Sequence, residues 1–405
     1  MVKIAVLGYG VVGSGVVELF YKNKLSIEKK SGKEMDIKYI LDIRDFSDSP
    51  YKEKFTKSID DILNDDEVVA VAECMGGITH AYSFVKSCLL KGKSVSTSNK
   101  ELVAEKGAEL LKIAKEQKCN FFFEASVGGG IPIIRPLHKC LAANEIVEIA
   151  GILNGTTNFI LTKMINESMR FSDALSMAQS LGYAEKDPTA DVEGHDACRK
   201  ICILSSLAFG KHVYPQKVYT KGITQIDLED VKFAEVFGGS IKLIASVKKL
   251  DNGKVLPMVT PMVVPYENLI SRVDDVFNAI MVVGDAIDKT MFYGRGAGKL
   301  PTASAVVADI IDSVKHNLTI ESQSWEDTEN DDLIEDYSQK VCRFVYRVNK
   351  INENIKKYRV LEVEGISNYA FVTEKMTFKE AEKYTEKLKS EQIEVLSSIP
   401  VLDLD

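Results

Sequence analysis

The opening of the chain, KIAVLGYGVVG at residues 3–13, restricts the possible folds more than any other segment. An apolar strand runs straight into a G-x-G-x-x-G turn (Gly8, Gly10, Gly13), and a helical pattern follows through Phe20. In that order the glycines bring backbone N–H groups and a helix N-terminus against a pyrophosphate, the fingerprint of dinucleotide binding. Val11 and Val12 take the first helical positions beside that phosphate site. Further strand-like runs are IKYILDI (37–43), VVAVAECM (68–75), SVSTSN (94–99), NFFFEAS (120–126) and EIVEIAGIL (145–153), with helical stretches between them. The alternation predicts an α/β fold over residues 1–150, a doubly wound parallel sheet of Rossmann type. The second strand ends in Asp42-Ile43-Arg44. An acid there would hold a ribose hydroxyl and an arginine a 2′-phosphate, so NAD and NADP both stay open.

Beyond residue 154 the pattern changes, and residues 151–290 read as a separate α+β domain. Helices dominate to about 240, with Ser172 as the N-cap and Gly182 as the stop of FSDALSMAQSLG. Strands follow at IKLIASVKKL and VLPMVTPMVV. GRGAGK (294–299) is no P-loop, because Lys299 precedes Leu300 rather than Ser or Thr. It is expected to be a glycine turn opening an apolar helix, with Gly296 as a second wall for the cofactor, completing the first domain over about 291–320. Residues 321–339 are acid-rich and read as a linker, and 340–405 form a strand-rich tail with one helix, FKEAEKYTEKLKSE.

A net charge of −8 and a pI near 5.4 exclude the basic footprint of a nucleic-acid-binding protein. No apolar run reaches spanning length and no basic amphipathic helix is present, so no membrane partner is expected. The first residues enter a strand pattern at once, which predicts no targeting segment. The seven cysteines are scattered without a CxxC pair and read as reduced thiols of a cytoplasmic protein.

The most unusual segment is GYAEKDPTADVEGHDACRK, residues 182–200. Its acids and bases lead into ICILSSLAFG, which is apolar on nearly every face as a buried helix is. Asp196 and Lys200 stand at i and i+4, which by itself fits a surface ion pair. The apolar run after Lys200 instead favours a lysine held in a cleft by Glu185, Asp191 and Asp196, a candidate proton donor or polariser. FEASVGGGIP (123–132) sets Glu124 before carbonyls that could coordinate a cation or form a phosphate-side turn.

With NGTTN at 154–158, NKELVA at 99–104 and the glycine turn, the chain resembles homoserine dehydrogenase over its first 320 or so residues. The signature E-x-D-P-T-x-D-x-x-G-x-D-x-x-x-K carries most of that specificity. The resemblance implies interconversion of L-aspartate 4-semialdehyde and L-homoserine with NAD or NADP, on a small-molecule substrate. It implies catalytic roles for Lys200, Lys100 and Asp196, with Glu185, Asp191, Asp196, Thr156 and Gly155 on the substrate. It places Gly8, Gly10, Val11, Val12, Gly13, Arg44, Lys100 and Gly296 against the cofactor. A monovalent cation, sodium in the family, would be held by Glu124 and by Val127, Gly129 and Ile131. The tail lacks the D-x-P-G turn of the ACT module common in the family, and its second half alone looks like that module. An abbreviated ACT-like domain over 340–405, a homodimer or homotetramer, and a tail that pairs subunits rather than taking threonine are the expectations. The competing reading is a catalytically inactive nucleotide-binding regulator on the same fold.

Overall fold

The computed structural model describes residues 1–317, 319–321, 323, 325–327 and 333–403. The chain divides into two compact units: Met1–Glu145, Cys202–Pro215 and Gly294–Glu329 form the first, and Ile146–Ile201, Gln216–Tyr293 and Asn330–Asp405 the second.

In the first unit, Val2–Leu7 (β1), Met35–Leu41 (β2), Phe55–Thr56 (β3), Val68–Glu73 (β4), Ser94–Thr97 (β5) and Phe121–Phe122 (β6) form one parallel sheet. Their order, β3-β2-β1-β4-β5-β6, is that of a Rossmann sheet, which reverses direction between β1 and β4. β1 and β4 are nearly continuous apolar runs because central parallel strands are covered on both faces. Helices Val11–Lys22 and Lys299–Lys315 contribute Val16, Val17, Phe20, Ala303, Val306 and Ile310 to one core with Ile4, Val6 and Ile37. Trp325 Nε1 donates to His212 Nδ1 (2.8 Å), which leaves the ring's Nε2–H to donate to the Ala104 carbonyl at 2.9 Å. That chain of two bonds fastens the helix Lys100–Glu116 from its side.

The second unit holds Ile146–Ile152 (β7), Tyr219–Thr220 (β8), Gly239–Lys249 (β9), Val255–Pro265 (β10), Phe277–Gly284 (β11) and Asp288–Arg295 (β12) in the order β12-β11-β7-β9-β10-β8. β7 pairs antiparallel with β9 and β11. The run EIVEIAGIL, read from sequence with the parallel strands, therefore belongs to this mixed sheet. All eleven residues of β10 are buried, and one apolar cluster explains why. Met258, Met262 and Val264 of β10 share it with Phe344, Tyr346, Phe371 and Phe378 of the tail.

The tail consists of Val341–Cys342 (β13), Phe344–Val348 (β14), Arg359–Leu361 (β15), Tyr369–Val372 (β16), Met376–Thr377 (β17) and Val395–Pro400 (β18). β14, β15, β16 and β18 form an antiparallel sheet ordered β15-β16-β14-β18, the split β-α-β arrangement. Its first helix is a single turn, Glu353–Lys356; its second, Phe378–Ser390, starts at a capping box between Thr377 and Glu380.

Three local expectations change. The helix Phe171–Ser180 starts behind Arg170, not Ser172, while Gly182 does take the left-handed conformation (φ 75°) that ends it. NFFFEAS is strand only over Phe121–Phe122, because the chain then turns at Glu124–Ser126. The acid-rich stretch expected at 321–339 falls partly outside the described residues, at 322, 324 and 328–332, as do positions 404–405 of the tail.

The tail is fastened by Arg347 on β14. Its guanidinium lies 2.5 Å from Asp227, 2.6 Å from Glu229 and 2.8 Å from Asp230, the last without hydrogen-bond geometry. Asp227 and Asp230 also form the capping box of the helix Leu228–Phe237. Asp230 is buried while the other two acids are partly exposed, so its uncompensated charge dominates the cost of losing Arg347. Arg347→Ala is expected to lower unfolding free energy by about 3 kcal/mol, read as a shifted urea midpoint.

Candidate functional site

The glycine turn is built by close approach. Gly8 is left-handed (φ 90°), and a side chain at Gly13 would stand 1.8 Å from the Gly8 carbonyl oxygen. A Cβ at Gly10, by contrast, would meet nothing within 4 Å. The helix Val11–Lys22 begins there with no side-chain cap, Val11 exposed and Val12 half-buried, so its first-turn N–H groups suit an anion. The residues thus fit a dinucleotide pyrophosphate. At the end of β2, Asp42 accepts the Tyr9 N–H (2.7 Å) and a two-pronged contact from Arg44 Nε and Nη2 (2.9 and 2.8 Å). The hydrogen-bonded Arg44 guanidinium holds the Asp42 carboxyl well below the usual carboxylate range. Arg44 itself stays largely exposed, over the Phe46 ring.

At the ends of β4 and β5 a buried acid organises the NKE segment. Glu73 accepts the Met75 N–H (2.8 Å) and the Thr97 hydroxyl; Thr97 Oγ1 in turn accepts the Asn99 N–H (2.9 Å). Burial pushes the Glu73 carboxyl up. Asn99 caps the helix Lys100–Glu116 through its Oδ1, while its Nδ2 donates to the Gly77 carbonyl (2.6 Å). Lys100 therefore occupies the first position of a helix whose start is fixed from both sides.

Glu124 is buried, and its carboxylate accepts the N–H groups of Ile133 (2.6 Å), Ile134 (2.8 Å) and Arg135 (2.9 Å). The carbonyls of Val127, Gly129 and Ile131, in buried residues nearby, accept no hydrogen bond from the described residues. A carboxylate and carbonyls are the oxygen donors a hard cation takes, while here the Glu124 carboxylate already accepts three N–H groups and lies 4.0 Å from the Arg135 guanidinium. No group of three or more His, Cys, Asp or Glu side chains is arranged for a metal among the described residues. Gly129 is left-handed and packs on Gly296, whose carbonyl oxygen would lie 2.3 Å from a Cβ there. Gly296 thus meets this loop.

In the second unit the charged segment converges on one point. Lys200, on the helix His195–Phe209, is buried and donates to Asp196 Oδ2 (2.8 Å) and to the Leu153 carbonyl (2.7 Å). Asn154 caps the helix Gly155–Glu167 and donates from Nδ2 to Asp191 (2.7 Å) and Asp196 (2.9 Å). Thr156 donates to the Tyr183 carbonyl (2.7 Å), tying the charged segment to this turn. Gly155 presses on the next loop: a Cβ would sit 2.7 Å from the Val276 carbonyl oxygen. Glu185 is exposed. Lys200 and Asp196 form an i, i+4 pair, but a buried one, which the helical spacing alone could not distinguish from a surface pair.

Sequence reasoning passed over Glu73, Thr97, Asn158 and Lys242, all buried polar groups. An acid closing the apolar run VVAVAE and a lysine inside SIKLIAS were the available signals.

Comparison with known proteins gives one consistent result. The family profile described as homoserine dehydrogenase, NAD binding domain, matches residues 8–124, and that described as homoserine dehydrogenase matches 132–311. A homoserine dehydrogenase of Bacillus subtilis (strain 168) is 42% identical over 320 residues, covering 78% of this chain and 73% of its own. The crystal structure of a homoserine dehydrogenase from Thiobacillus denitrificans superimposes with a TM-score of 0.90 at 32% identity, covering 100% of this chain and 99% of that one. A hyperthermophilic archaeal homoserine dehydrogenase in complex with NADPH gives 0.64 at 29% identity, covering 77% of this chain and 97% of that one.

The glycine turn supplies a direct check. Gly13→Ala cannot seat its methyl group without moving the Gly8 carbonyl. The expected outcome is a Kd for reduced nicotinamide dinucleotide raised at least about tenfold, by fluorescence titration.

Proposed function

The chain belongs to the homoserine dehydrogenase family, and from that premise we propose that it interconverts L-aspartate 4-semialdehyde and L-homoserine by lysine-assisted proton transfer. It is an NAD(P)-dependent oxidoreductase of amino-acid biosynthesis; the pathways to threonine, methionine and isoleucine are part of the proposal. The bound nicotinamide supplies or accepts the hydride. In reduction the Lys200 ammonium stabilises the developing alkoxide and gives it a proton; in the reverse direction the neutral amine takes the hydroxyl proton back. Asp196 pairs with that ammonium, and the Leu153 carbonyl fixes its direction. Asn154 holds Asp196 and Asp191 in place, and the Gly155–Thr156 turn forms the substrate-facing backbone. Lys100 serves as the second cation, at the capped start of its helix. Exposed Glu185 suits the substrate ammonium, a charge-assisted contact made only when substrate is present.

The observation that carries this reading is the buried Lys200–Asp196 pair. Ions at the head of an apolar helix cost several kcal/mol each to take out of water, which supports a chemical task for them. The same residues speak against an inactive regulator, which no observation favours.

On the cofactor side, both Asp42 oxygens are already engaged, so a free acceptor for an adenosine ribose is lacking and the exposed Arg44 favours the 2′-phosphate of NADP. Glu124 with the carbonyls of Val127, Gly129 and Ile131 would hold a sodium-like cation, which would brace the Gly129–Gly296 contact. The tail we read as an abbreviated ACT-like domain that pairs subunits in a homodimer or homotetramer. A cytoplasmic location accords with seven free thiols. No helix among the described residues is long and apolar enough to cross a membrane.

The test is reduced nicotinamide absorbance with L-homoserine and either NAD⁺ or NADP⁺. Homoserine-dependent turnover is expected, and its absence despite cofactor binding would overturn the proposal. Lys200→Ala should lower kcat by roughly 10²–10⁴-fold in a folded protein. Arg44→Ala should raise KM for NADP⁺ about tenfold or more while leaving KM for NAD⁺ within about twofold.

A further inference from the structure

Lys242 lies on β9 between apolar neighbours and is wholly buried, yet it is remote in sequence from every charged motif. Its ammonium donates to the Val273 carbonyl (2.6 Å), Asp274 Oδ1 (3.0 Å) and Asn158 Oδ1 (3.2 Å). Asn158, the last residue of the NGTTN segment, turns its Nδ2 to three carbonyls, those of Val273 (3.0 Å), Asp275 (3.0 Å) and Phe277 (3.1 Å). Thr162 Oγ1 accepts the Asp275 N–H (3.0 Å), and Asp275 is held in the left-handed conformation at φ 58°. The loop 273–277 thus turns its carbonyls inward, toward donors supplied by Lys242 and Asn158.

Burial pushes the Lys242 ammonium toward its neutral form, against the attraction of Asp274, so the site is costly to build. What it secures lies one residue along the loop. Val276 is the residue whose carbonyl meets Gly155, and Gly155 follows the Asn154 that holds Asp191 and Asp196.

We infer that Lys242 is a positioning residue: with Asn158 and Thr162 it fixes the loop 273–277 on which the Asn154–Thr156 turn seats, and through that turn the Lys200–Asp196 pair. It touches neither substrate nor cofactor, and its kinetic consequence rests on the dehydrogenase reading above. A displaced seat changes the approach of Lys200 by fractions of an ångström, and misplacement on that scale costs up to about 10²-fold in rate.

The experiment compares full-length wild type with Lys242→Met and with Thr162→Val, which removes the hold on the Asp275 N–H together with the hydroxyl's own bond to the Asn158 carbonyl (2.7 Å) within the same helix. Hydrogen exchange read by mass spectrometry should show faster exchange over residues 153–160 in both variants, and none over residues 8–20. With homoserine, kcat should fall about ten- to hundredfold for Lys242→Met and less for Thr162→Val, while the Kd for reduced dinucleotide stays within about twofold. If Lys242→Met does not fold, Thr162→Val decides by the same two readouts. Unchanged exchange over 153–160 in a folded variant overturns the inference, as does a kcat equal to wild type where the wild type turns over. A wild type inert toward homoserine sinks the dehydrogenase reading alone, and the exchange result then decides the role of Lys242 by itself.

Discussion

The polar network around the segment 182–200 follows from placing an ammonium group at the head of an apolar helix. Lys200 lies one residue before the buried run beginning at Ile201, where an unpaired charge would lose its proton or unfold the turn. Asp196 answers the charge and the Leu153 carbonyl the direction. Those two contacts place demands on their own surroundings. Asp196 must be held, which Asn154 does, and Leu153, just past β7, must turn its carbonyl inward ahead of the next helix. The order of dependence runs from one charge to a strand end, a helix cap and the segment 182–200.

Both NK and NG segments use asparagine at the helix cap, and the reason is the two-ended side chain. A cap needs an acceptor for the orphan N–H groups, which serine, threonine or aspartate could also provide. Only asparagine adds two N–H donors on the far side. Asn99 directs its amide to the Gly77 carbonyl, Asn154 to Asp191 and Asp196. Aspartate at 154 would set three carboxylates together with no proton between them. Serine would cap the helix and leave the acids unheld.

The parallel sheet, its glycine turn and the tail's second helix were legible in the sequence, because each is a local pattern: a strand followed by G-x-G-x-x-G, or the helical run FKEAEKYTEKLKSE. The strand Ile146–Ile152 was visible as a strand but not as a member of the second sheet, since an apolar run carries no record of its partner. Among the site residues, those within one motif could be named together, as Asp191, Asp196 and Lys200 were. Glu73 with Thr97, and Lys242 with Asn158, are joined only by topology, at separations no short motif spans. Lone polar residues in apolar strands were the trace they left.

The tail's physics bears on how it can act. A regulatory module on a flexible linker moves as a body, and its ligand acts by moving it. Here Phe344, Tyr346 and Phe371 share one apolar cluster with Met258, Met262 and Val264 of β10, so displacing the tail would expose the core of the sheet. Arg347 adds a second constraint, since its acids are the same ones that cap the helix Leu228–Phe237. Rigid-body release would cost both the apolar contact and a buried charge pair, far more than the coupling of about 1–3 kcal/mol typical between two sites. In a tail built this way, any movement is confined to small shifts in a packed core.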